Sequence, residues 1–150
     1  MFLDKKLADV RYFGMGPQES YRDKHQAASH GLYRANIGDL HEDYIRPQEN
    51  GSHYHCRYVS LENEKYRLLA EADNYLDFNV SDYTVEELAG KRHNFELEPA
   101  SGSLLSLDAR MMGIGSNSCG PQLLPQYQMN DKEFEWGVSA EVLMIRCSAR

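Results

Sequence analysis

Three features of this sequence have residue types and spacing that bear on chemistry. The first is Cys119, inside the glycine-rich stretch GIGSNSCGP at 113–121. A cysteine nucleophile needs a nearby base and a local field that lowers its pKa. Six histidines are present, at 25, 30, 41, 53, 55 and 93, and none has a spacing that pairs it with Cys119. The plainer reading is a small apolar side chain in a tight loop. The second feature is HYHCRY at 53–58. On a regular strand His53 and His55 share one face and Cys56 takes the other. Two histidines at that spacing can begin a metal site, but the remaining ligands must come from elsewhere. The expectation is semi-exposed strand residues. The third feature is carboxylate, with 23 Asp and Glu in all. Retaining glycoside hydrolysis needs two of them held roughly 5–5.5 Å apart. Glu86 and Glu87 fall on a predicted surface helix, and Glu133 and Glu135 on the polar face of a predicted strand. Both pairs read as solvated surface, so no catalytic residue is assigned in this chain.

Phosphate and nucleotide chemistry has no support. The sequence has no P-loop, dinucleotide fingerprint, HExxH or GxSxG. GMGPQES at 14–20 carries glycines, but Pro17 removes an amide where a phosphate cradle needs a donor.

The elements that must position these residues are strands. In EFEWGVSAEVLM at 133–144, Phe134, Trp136, Val138, Ala140, Val142 and Met144 alternate with polar residues. That period of two predicts a half-buried strand with Trp136 in the core. Tyr66, Leu68, Ala70 and Ala72 repeat the pattern, as do Leu76, Phe78 and Val80. Phe95 and Leu97 precede PASG at 99–102, and Leu105, Leu107 and Ala109 follow it, which predicts a hairpin over 93–110. Thr84 and Glu87 have capping-box spacing ahead of Gly90, so a short helix is expected at 84–90. A second helical turn is expected within 21–30. The rest of 14–51 reads as loop. The expected fold is all-β, an antiparallel β-sandwich with one or two short helices, in a single domain over 1–150.

Composition narrows the function classes. The chain is 41% hydrophobic, enough for a core, and contains ten tyrosines. Its net charge of -7 argues against nucleic acid and anionic membrane as partners, because counterion release needs clustered Lys and Arg. No apolar run approaches the roughly 18 residues of a membrane span, and MFLDKKLADV lacks a signal-peptide pattern. The three cysteines, Cys56, Cys119 and Cys147, form no disulfide framework. A cytoplasmic location is expected.

Four ordered motifs carry more information than the strands: RYFGMGPQESYRDK (11–24), YIRPQENGSHYHCRY (44–58), LDFNVSDYTVEEL (76–88) and LDARMMGIGSNSCGP (107–121). Together they resemble the C-terminal small-chain domain of glycoside hydrolase family 2 β-galactosidases, over about Leu7 to Met144. The resemblance implies part of a large antiparallel supersandwich, similar to the galactose mutarotase fold. It implies a separate (β/α) barrel that supplies the acid/base and nucleophile glutamates and binds Mg and Na. It also implies that this chain alone is inactive.

The resemblance gives Cys119 a place. In well-known family members the loop after M-G-I-G carries a tryptophan that forms an apolar platform for the sugar. Here Ser116, Asn117, Ser118 and Cys119 follow Gly115, and Cys119 falls at the tryptophan's position in a loop one residue shorter. A thiol cannot stack on a sugar ring as an indole does. The resemblance therefore implies a galactoside-facing loop with Asn117, Ser118 and Cys119 as substrate-binding candidates and a smaller platform. Tyr21 and Arg57 are expected to anchor loops, and 47–51 to form a structured turn. The expected partners are the barrel and a second copy of the chain. A free-standing carbohydrate-binding module is the other reading, and it would need an exposed aromatic platform. A cysteine- or metal-dependent enzyme built on Cys119 or His53 and His55 is a third.

Overall fold

The computed structural model describes residues 1–4, 7–115 and 120–145. Its seven strands are β1 (Phe2–Asp4), β2 (Asp9–Gly16), β3 (Ser29–Asn36), β4 (His53–Glu62), β5 (Tyr66–Ser81), β6 (Gly102–Asp108) and β7 (Val138–Met144). All pair antiparallel in one sheet, in the order β1-β6-β5-β4-β2-β3. The all-β antiparallel class is as the alternation predicted. No helix among the described residues is long and apolar enough to cross a membrane.

β5 is the spine. Its two predicted alternating runs join into one 16-residue strand. One edge pairs with β4. The other edge is shared: β7 takes Tyr66 to Ala72, and β6 takes Asp77 to Ser81. Asn63 closes the tight turn from β4, its side-chain oxygen accepting the Lys65 and Tyr66 amides at 2.8 Å. Asn suits such a turn because its side chain mimics a backbone acceptor.

The even-numbered apolar residues of β5 from Leu68 to Val80 face the core, while Tyr66 and Asn74 are exposed. Leu68, Ala70, Leu76, Phe78 and Val80 pack there with Val10, Tyr12, Val59, Leu61 and Leu105. Tyr12 is central, its ring 5.1 Å from Phe78 and 4.5 Å from His53, centroid to centroid. Burying each such large side chain contributes roughly 1.5–3 kcal/mol. The opposite face is polar, and buried Glu62 binds Arg67 at 2.7 Å and pairs with Arg11.

The helix falls where predicted, as α1 (Val85–Gly90). The Thr84 hydroxyl accepts the Glu87 amide at 3.1 Å. The Glu87 carboxylate does not complete the box. It accepts the Glu98 amide at 2.8 Å instead and so ties down the following loop.

Several expectations are corrected. Residues 21–30 form turns rather than a helical turn, and β3 begins at Ser29. β3 escaped notice because its residues are only half-covered and polar positions interrupt its alternation. The 93–110 hairpin does not form. Asn94–Glu96 is a 3-10 turn, held by Glu96 accepting the Arg92 and His93 amides, and Phe95 is exposed. The strand at 133–144 is shorter, beginning at Val138, and all seven of its residues are exposed. Trp136 lies ahead of it and is half-buried, packing against the rim of the core rather than within it.

Candidate functional site

Glu19 joins the first two motifs. It is buried, and its carboxylate accepts hydrogen bonds from the Lys24 ammonium, the Tyr44 hydroxyl, the Tyr21 hydroxyl at 3.2 Å and the Gly51 amide at 2.8 Å. Burial pushes its carboxyl pKa up, but the bonds from Lys24, Tyr44 and Gly51 outweigh this and hold it below the usual glutamate range. Gly51 has φ +74 and sits against the Leu40 carbonyl, a position closed to a side chain. Residues 47–51 are thus the structured turn expected, and Tyr21 is an anchor.

The root of the glycine-rich loop rests on the same motif. The Asp23 carboxylate accepts the Ile114 amide at 3.2 Å and the Gly115 amide at 2.6 Å. Gly113 has φ +89, and a side chain there would run into the Asp23 carboxylate. The described part of the loop ends at Gly115. Asn117, Ser118 and Cys119 lie outside the described residues, as does Cys147.

HYHCRY departs from a regular strand. The β4–β5 register shifts between His53 and Cys56 and again before Tyr58. His55 adopts φ 58, in the left-handed region. This bulge separates the two histidines. His53 and Cys56 turn into the core and His55 turns out, so the expected shared face and the semi-exposed His53 are both overturned. Burial lowers the His53 pKa to about 4, although the Met15 carbonyl at 3.3 Å opposes the shift. Burial pushes the Cys56 thiol far up, which leaves it a poor nucleophile. Among the described residues, no three His, Cys, Asp or Glu side chains are grouped to hold a metal ion.

The bulge faces a gap on the far edge of β5. Between the end of β7 pairing at Ala72 and the start of β6 pairing at Asp77, that edge has no strand partner. The Gly137 carbonyl, just ahead of β7, accepts the Asp73 amide there at 3.1 Å, and side chains fill the rest. The Trp136 indole donates to the Tyr75 carbonyl at 3.2 Å, and Arg57 donates to the Asn74 carbonyl at 2.9 Å, the anchoring role expected of it. A cleft of about 300 Å³ opens here, lined by the bulge, the β5 gap, the end of β6 and residues 134–136.

Asp77 ties the cleft together. It is buried, and its two oxygens accept the His55 amide at 2.9 Å and the Met111 amide at 3.2 Å. Burial raises its pKa to about 6, against the two amide bonds. The His55 ring stacks on Tyr75 with centroids 3.4 Å apart. Sequence reasoning missed this site because its residues are distant in the chain and the bulge has no periodic signature.

Comparison with known proteins places the motifs. The family model for the β-galactosidase small chain matches residues 1–139. The chain belongs to the β-galactosidase small-chain family. The β-galactosidase of Actinobacillus pleuropneumoniae is 48% identical over 134 residues, which is 89% of this chain and 13% of that protein. That of Staphylococcus xylosus is 36% identical over 134 residues, 89% of this chain and 14% of the relative. That of Lactococcus lactis is 33% identical over 138 residues, 91% of this chain and 14% of the relative. The small-chain sequence therefore spans about a seventh of the curated relatives it matches.

Proposed function

We propose that this chain is the non-catalytic C-terminal domain of a β-galactosidase that hydrolyses terminal β-D-galactosides such as lactose. Its loop at 116–119, with Asn117, Ser118 and Cys119, forms one wall of the sugar pocket. The observation that carries this reading is the Asp23 clamp on the Ile114 and Gly115 amides. A loop meant to meet a substrate needs a fixed root, because lost motion on binding weakens affinity. In this reading the barrel supplies two glutamates for a covalent galactosyl intermediate. The Mg and Na belong with it.

The domain also supports assembly. Val142 and Met144 are 71% and 73% exposed on β7. An open strand edge with apolar side chains favours association with another chain, including a second copy.

The test is complementation. This chain is mixed with the barrel-containing remainder of the enzyme, and hydrolysis of a chromogenic β-galactoside is followed. Activity from the mixture, and from neither piece alone, is the expected result. An inactive mixture of two folded pieces would overturn the proposal.

A further inference from the structure

We propose that the cleft between β6 and β7 binds a neutral pyranose sugar. This goes beyond the reading above and needs no catalytic partner, because every residue of the cleft is on this chain.

Its size comes first. About 300 Å³ is the lower end of small-molecule pockets, suited to one or two sugar rings rather than a polymer or a peptide helix. Its chemistry comes second. Phe134 and Trp136 bring aromatic surface, and Phe134 is 67% exposed. Aromatic side chains offer flat apolar area of the kind that covers the C–H face of a pyranose. Asn74 and Glu135 add polar groups beside them. Donors and acceptors mixed at one site match hydroxyls, which are both at once.

The charge balance favours a neutral ligand. Arg22 and Arg110 line the cleft together with Asp77 and Glu135. Arg110 is paired with Asp131 and both Asp77 oxygens are taken by amides, so Arg22 and Glu135 are the charges left in the lining, and their balance favours a neutral polar ligand. While β7 is paired, the lining is also braced. His55 braces Tyr75, Trp136 is tied to the β5 backbone, and Arg110 is paired with Asp131. A site already ordered loses little freedom on binding.

Trp136 is the only tryptophan in the chain, and it lines the cleft, so its emission reports there. The purified chain is titrated with galactose, glucose and lactose, with galactitol as the open-chain control. Amide shifts of Asn74 and Glu135 are followed by NMR in parallel. The expected result is a saturable change with a pyranose and none with galactitol. Phe134→Ala, at an exposed position, should weaken binding by about threefold to tenfold with the fold intact. Arg34→Ala, on the β3 edge of the sheet, should leave binding unchanged. The proposal is overturned if neither emission nor amide shifts saturate with any pyranose. It is equally overturned if Phe134→Ala binds as tightly as the parent. Since the barrel is absent from this test, its failure would leave the complementation result standing.

Discussion

The Asp23 carboxylate grips the backbone of Gly115, 92 positions further along the chain, through a 2.6 Å hydrogen bond. With the Ile114 amide on its other oxygen, one aspartate holds the two amides at which the described part of the loop ends. Asp23→Ala is expected to leave the sheet intact and release the loop root. Hydrogen exchange should show the Ile114 and Gly115 amides losing about 1.5 kcal/mol of protection, the low end for bonds to a charged group because the site is exposed. Unchanged protection would mean that the clamp is not what holds the loop.

Gly113→Ala attacks the same root from the backbone. Its φ of +89 disfavours any side chain, and the added methyl meets Asp23. Destabilisation on the order of 1–2 kcal/mol is expected, read as a lower denaturation midpoint. A neutral result would show that the loop root relaxes freely.

Cys119→Trp bears on the proposed pocket wall. In the complemented enzyme it should restore an aromatic platform and tighten binding of the leaving sugar, read as a lower inhibition constant for free glucose. A gain of about threefold to tenfold corresponds to one aromatic contact. Identical constants for parent and variant would remove Cys119 from the pocket.

Asp77 and His53 make opposing contributions to stability across one pH window. The Asp77 pKa rises from 3.8 to about 6 on folding, so the folded state holds more protons and this group's contribution falls as pH rises. The His53 pKa drops from 6.5 to about 4, so the unfolded state holds more protons and its contribution rises with pH. Each is worth about 3 kcal/mol in full. Between pH 4.5 and 6 the two largely offset one another. Asp77→Asn should tilt the stability curve upward with pH relative to the parent, and His53→Gln should tilt it downward. Urea denaturation at several pH values reads both slopes, and parallel curves for all three proteins would refute the assignment. Glu19 acts below this window, because its folded pKa lies under 4.5 and its contribution is lost as pH falls through that value.

What the sequence reveals, and what it hides, follows from periodicity. β5 was legible in both halves because Leu68 and Ala70, then Leu76, Phe78 and Val80, hold one phase, broken between them at exposed Asn74. α1 was legible from Thr84, whose cap is a local interaction. Phe95 misled because an apolar residue in an alternating run looks the same whether it enters a core or a solvent-facing 3-10 turn. His55 misled because one residue with positive φ reverses the facing of its neighbours without altering composition. The family motifs singled out the loop at 113–119, but the cleft assembles Arg22, His55, Tyr75, Arg110 and Trp136 from five separate stretches, and only the folded sheet brings them together.

β7 contributes no buried side chain to the sheet, and its attachment rests on the ladder to β5. Opening it therefore exposes little that was dry, and it should be among the first parts of the sheet to detach and reform while the core stays folded. Phe134 and Trp136 lie just ahead of it in the chain and travel with it. Access to the cleft is then a rate as well as a shape, set by how often the least committed strand of the sheet lets go.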